Sequence, residues 1–182
     1  MPSGQFKQAK AENLLRAYMS AIYGQGEWVK YFGKQQIYFD HILIEDSKLS
    51  ISDVQQKAMN FIIQLSGVSN VLSSSIMQST NFTDGTYRKM LNSFNQKRSG
   101  DIMFTLEPGW IEHSMTESTL HNSPHGYDSH IPLIWYGWKL DRKTITREVS
   151  ITDIASTIST LLDIPEPSVN TGVAIWEIMP EH

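Results

Sequence analysis

Four of the six histidines, His113, His121, His125 and His130, fall between positions 113 and 130, and Asp128 stands between the last two. Imidazole and carboxylate are the groups that hold zinc where thiolates are absent, and the chain has no cysteine. The same absence removes disulfides, a thiolate nucleophile and Cys-ligated clusters. Residues 114–129 are rich in Ser, Thr, His, Asn, Pro and Gly with almost no large aliphatics, which is the composition of a long loop. This loop leads into Ile131-Pro132-Leu133-Ile134-Trp135-Tyr136-Gly137, a continuous apolar run with the pattern of a strand buried on both faces. A buried strand fixes the backbone while the loop at its end brings ligands into one pocket. On residue types alone two readings stay open. One is a metal-binding loop; the other is a solvated loop whose rings make local hydrogen bonds.

Elsewhere the chain is poor in chemistry. Asp40-His41 lies within a predicted strand over 35–45 and is followed by Ile-Leu-Ile, so it reads as a polar pair on an edge strand. No Ser or Thr sits at a strand-to-helix turn with an upstream Asp cluster, so no residue is assigned a catalytic role.

The elements that would position the loop follow from periodicity. Phe6, Leu14, Leu15, Tyr18, Met19 and Ile22 predict an amphipathic helix over 5–23, stopped by Gly24 and Gly26. Ser52 and Gln55 fit a capping box. Val54, Ala58, Phe61, Ile62 and Leu65 then continue a helix to a left-handed cap at Gly67. Residues 68–77 read as a strand, 81–85 as a turn and 87–95 as a short helix. In 101–110, Ile102, Phe104 and Leu106 alternate against Met103, Thr105 and Glu107, which predicts another strand. A short strand over 145–149 and a helix over 152–162 follow, the helix with Ile154, Ile158, Leu161 and Leu162 as its apolar face and Pro165 and Pro167 beyond it. The tail, 173–179, is apolar enough to dock on the core.

The chain has 182 residues, with 15 basic and 19 acidic side chains, a net charge of −4 and a hydrophobic fraction of 40%. A pI near 5.8 and no Lys/Arg run longer than two argue against binding nucleic acid through a basic face. The apolar runs at 61–65 and 131–136 are far too short to span a bilayer. Met1-Pro2-Ser3-Gly4-Gln5 lacks the charged-then-apolar order of a signal peptide. Such a length buries a real core and is small for a multi-metal hydrolase.

One string is more specific than its composition. His121-Asn122-Ser123-Pro124-His125-Gly126-Tyr127-Asp128-Ser129-His130 followed by Ile131 to Gly137 resembles the final metal-ligand segment of the alkaline phosphatase superfamily. The branch is that of the bacterial Thr-nucleophile phosphatases and the type I phosphodiesterase/nucleotide pyrophosphatases, where His-Gly-Ser-Pro leads through Tyr-Asp-Thr-His into a Val/Ile-Pro-Leu strand ending in Gly. Thr152-Asp153-Ile154-Ala155, Ile164-Pro165 and Asn170-Thr171-Gly172 are similar to the superfamily's Thr-Asp-Ile-Ala helix and its following Pro and Gly. Glu107-Pro108-Gly109-Trp110 and the 23–28 stretch look like the phosphatase branch. Here Asn122 replaces the Gly after the ligand, and His125 replaces a tyrosine-like residue.

The resemblance implies the C-terminal part of an alkaline phosphatase-like α/β/α sandwich with an α+β subdomain. Residues 1–100 would be the subdomain, built as β-α-β-α-β, and 101–182 would return to the core. It implies a phosphate-ester substrate, two zinc ions in the intact enzyme and a covalent phospho-Thr or phospho-Ser intermediate. His121 would be a zinc ligand and His130 a supporting group or second ligand, with His125 and Asp128 around them. The other ligands, an N-terminal Asp, the nucleophile, an Asp-x-x-x-His pair and an Asp-His dipeptide, have no counterparts here, so the isolated chain is expected to be inactive. An exposed sheet edge would let it self-associate, and family likeness suggests an exported, periplasmic parent. The alternative is a non-catalytic module that binds a ligand or partner through the 113–130 loop.

Overall fold

The structure, a computed structural model, describes residues 3–112, 123–137, 140 and 142–179. Two compact units divide the chain, Met1–Ile131 and Pro132–His182. The first runs β1 (Gly4–Phe6), α1 (Gln8–Tyr23), β2 (Val29–Gly33), β3 (Gln36–Phe39), α2 (His41–Asp46), α3 (Ile51–Ile62), β4 (Val68–Ser73), α4 (Ser74–Ser79), α5 (Gly85–Ser93), β5 (Ile102–Leu106), β6 (Trp110–Glu112) and α6 (Gly126–Ser129). The second contains α7 (Asp153–Leu162) and a 3-10 turn at Trp176–Ile178. The fold class is α/β, as expected. An antiparallel sheet has the order β2-β3-β5-β4, and β1 pairs parallel with β6.

The central sheet is covered on both faces, and β5 shows why. Successive side chains of a strand point to opposite sides. Ile102, Phe104 and Leu106 join a core with Leu15 and Met19 of α1 and Val54, Ala58 and Ile62 of α3. Met103 points the other way, into a smaller core with Leu72, Met77 and Met90. All five residues of β5 are therefore buried. Phe104 packs its ring against Phe6 and Phe32 at centroid distances of 5.4 and 5.8 Å.

Several elements differ from the sequence expectations, each for a local reason. The predicted strand over 35–45 ends at Phe39. Asp40 caps α2 by accepting the Leu43 N–H at 3.1 Å, so Ile42 and Ile44 are helical despite their β-branching. Asp40-His41 is thus a helix start and not an edge-strand pair. The predicted strand over 68–77 likewise stops at Ser73, whose hydroxyl accepts the Ile76 N–H at 3.2 Å and opens α4. The capping box of Ser52 and Gln55 does not form, because the helix begins two residues earlier, with Ser50 at the cap position. Gln55 is instead fully buried. The predicted helix over 5–23 starts at Gln8, since Gly4, Gln5 and Phe6 pair with Trp110, Ile111 and Glu112.

Residues 131–137 and 145–149 carry no strand among the described residues. Among the described residues, no neighbouring strand supplies a hydrogen-bond ladder there. The apolar run is consequently exposed rather than buried on both faces, with Ile134 82% and Tyr136 100% accessible. Helix α7 covers the expected span, yet its buried residues are Ser156, Thr157 and Ser159, and Ile158 and Leu162 face solvent. The tail explains this inversion. Ser156 donates its hydroxyl to Gly172 O at 2.9 Å, and Thr157 Oγ1 accepts the Ile175 N–H at 3.0 Å. The tail lies along α7 and buries Ala174, Ile175 and Ile178.

Candidate functional site

The described part of the histidine-rich loop is 123–130, and its backbone is built as a single closed turn. His125 is extended, with φ −72° and ψ 150°, and precedes the four residues of α6. The Asp128 and Ser129 N–H groups donate to His125 O at 2.9 and 3.0 Å, and the His130 N–H donates to Gly126 O at 2.9 Å. Asp128 turns its carboxylate back to accept the Ser123 N–H at 2.9 Å. This is the local hydrogen bonding that short polar side chains offer a turn.

Three contacts fix the turn on the first unit. His125 Nε2 lies 2.9 Å from Leu106 O at the end of β5. A carbonyl only accepts, so Nε2 carries the proton and Nδ1 is left as the acceptor in the neutral ring. The His125 ring stacks on Tyr127, with centroids 5.6 Å apart, and the Tyr127 hydroxyl accepts the Gly109 N–H at 3.4 Å. From α5, Lys89 Nζ donates to Pro124 O at 2.7 Å and to Ser129 Oγ at 2.8 Å.

His121 and His113 lie outside the described residues, as does Asn122. The structure brings His125 and Asp128 onto one turn, where each is committed to backbone. His130 ends the same turn and is exposed. Among the described residues, no three His, Asp or Glu side chains lie where they could hold a metal ion together. A catalytic zinc needs about three protein ligands. The donors described here therefore do not make such a site by themselves.

A second polar cluster escaped the sequence reading. Asp101, buried just before β5, accepts the Phe39 N–H at 2.8 Å, lies 2.8 Å from His41 Nε2 and receives Gln55 Nε2 at 3.3 Å. Gln55 also donates to Ser74 Oγ at 2.8 Å and accepts from Ser75 Oγ at 2.6 Å. The cluster ties together β3, α2, α3, α4 and β5. Asp40-His41 was its visible trace in the sequence, but nothing there announced Asp101, sixty residues away, as the partner. Beside it, the Lys30 ammonium holds the Asp40 carboxyl below the usual carboxylate range, helped by the Leu43 N–H. In the second unit the Val173 and Ser150 N–H groups lower the Asp153 carboxyl. At the end of β6, burial raises the Glu112 carboxyl, against a smaller lowering by the Lys34 backbone N–H.

No protein-family model matches the chain. It is 31% identical over 179 residues to alkaline phosphatase PafA of Elizabethkingia meningoseptica, which covers 98% of this chain and 33% of that protein. Alkaline phosphatase PhoV of Synechococcus elongatus is 31% identical over 144 residues, 79% of this chain and 26% of that protein. A protein of Myroides odoratus named calcium-transporting ATPase is 29% identical over 180 residues, 98% of this chain and 33% of that protein. The crystal structure of wild-type PafA superposes with a TM-score of 0.88 over 98% of this chain and 34% of that one. The chain thus spans about a third of the length of the curated relatives it matches over most of its own length.

Proposed function

We propose, on the premise that the chain belongs to the alkaline phosphatase superfamily, that it is the C-terminal portion of a zinc-dependent phosphate-ester hydrolase. One observation carries this: sequence and fold both follow PafA along 98% of the chain. In this reading the intact enzyme hydrolyses a phosphate monoester or diester through a covalent phospho-Thr or phospho-Ser intermediate, and it is exported. Its nucleophile and most of its metal ligands come from outside these 182 residues.

The share of the work done by this chain is scaffolding. His121 supplies one zinc ligand at the start of the loop, with His130 as a supporting or second donor. His125 and Asp128 shape the backbone between them, His125 through Leu106 O and Asp128 through the Ser123 N–H. Zinc would activate the nucleophile and stabilise the oxygens of an in-line displacement. The donors described here fall short of a zinc site, so no step of the reaction is assigned to them.

The test is a phosphatase assay of the 182-residue protein with added zinc. No turnover of an aryl phosphate is expected. Turnover abolished by His121→Ala would overturn the proposal, and so would tight one-to-one zinc binding in a calorimetric titration. The gene sequence upstream of Met1 is a further check, since an Asp-His-Gly at the end of an encoded apolar strand is expected there.

A further inference from the structure

Among the described residues, two sides grip the 123–130 turn, and Lys89 brings a formal charge to one of them. His125 and Tyr127 hold it to Leu106 and Gly109, at the corner between β5 and β6. Lys89 holds it from α5. The two acceptors of Lys89, Pro124 O and Ser129 Oγ, lie at opposite ends of the turn, so one ammonium group bridges it. An ammonium carries three donors and satisfies two such acceptors at once, which no aliphatic side chain of the same length can do. The base of this bridge is firm. Met90, the next residue of α5, is buried in the smaller core with Leu72, Met77 and Met103, while the Lys89 bonds themselves lie at the surface.

We propose that Lys89 is a positioning residue, a clamp from helix α5 that fixes the turn immediately following the candidate zinc ligand His121. What the turn is for rests on the phosphatase reading; the clamp itself rests on the two hydrogen bonds of Lys89. Through this clamp the packing of α5 against β4 and β5 sets where the loop sits, and His125 and Tyr127 set its opposite edge.

Amide hydrogen exchange by NMR, on the 182-residue protein without zinc, tests the clamp. The reporters are the Asp128, Ser129 and His130 amides, which close the turn. In Lys89→Met they should exchange about tenfold faster, the loss expected when a net hydrogen-bond contribution no longer opposes local opening. Lys89→Arg, which keeps the charge and several donors, should restore the wild-type rates. The thermal midpoint should stay unchanged in both variants, since the contact is at the surface. Unchanged exchange in Lys89→Met, acceleration in both variants, or a fall in midpoint accompanying the acceleration each overturn the proposal. A separate calorimetric titration showing tight one-to-one zinc binding by this chain would count against the phosphatase reading, and the exchange result would stand regardless.

Discussion

Asp101 is a buried carboxylate facing donors from three different elements, Phe39 N–H, His41 Nε2 and Gln55 Nε2. Removing the acceptor strands the buried Phe39 N–H and leaves the Gln55 amide only its bond to Ser74 Oγ, and an unsatisfied buried group costs about 1–3 kcal/mol. Asp101→Ala should therefore lower unfolding stability by about 3 kcal/mol in urea titrations. His41→Ala should cost no more than about 1 kcal/mol, because His41 is largely solvated and the carboxylate keeps its other donors. Equal costs would show that the cluster does not work as described. At this scale the sequence was only partly readable. Residue type and loop composition singled out His125 and Asp128 as groups of one loop. Their partners, Leu106 O and the Ser123 N–H, depend on where the loop crosses β5, and no local pattern encodes that.

Helices α3 and α7 were readable to within a few residues because apolar residues recur at helical spacing over ten or more positions. Helices α2 and α4 were missed because each is six residues long and follows a strand directly. Their start is decided by a single side-chain cap, Asp40 or Ser73, acting against a β-branched or mixed local sequence. The inverted burial of α7 was unreadable for another reason. Amphipathic spacing shows that a helix has two faces, whereas the hydroxyl bonds to Gly172 and Ile175 decide which one the tail covers. Turns were more transparent. Gly67 has φ +87°, and a Cβ there would come within 2.1 Å of the Trp110 ring. Gly67→Ala combines left-handed strain with a clash against β6, so it should cost about 2 kcal/mol or more. Trp110 fluorescence during denaturation reads both the stability and the ring's environment.

For the molecule as a whole, the match to PafA covers this chain almost completely and that enzyme only to about a third. The fold class was readable from the alternation of helix and strand patterns together with the His121 to Gly137 string. What no pattern foretold is how much of the second unit lies open. Ile134 and Tyr136 of the apolar run, and Ile158 and Leu162 of α7, all face solvent. Large apolar side chains left in solvent are the kind of surface that association covers. Under the proposed function its partner is the remainder of the enzyme. The isolated chain should therefore self-associate, its sedimentation coefficient rising with concentration across the micromolar range. Ile134→Lys combined with Tyr136→Lys should shift that equilibrium toward monomer by about tenfold or more, and a monomeric wild-type chain would contradict the prediction.

The short parallel pairing of Gly4, Gln5 and Phe6 with Trp110, Ile111 and Glu112 also imposes a timetable on synthesis. The first strand to leave the ribosome has to wait more than a hundred residues for its mate, because contacts so distant in sequence pay their loop-closure cost before any reward. Meanwhile α1, β2, β3 and the following helices can assemble around it. The histidine-rich segment is thus launched from a strand that gains its partner only after most of the first unit has been made, so its anchorage is among the last features of that unit to set.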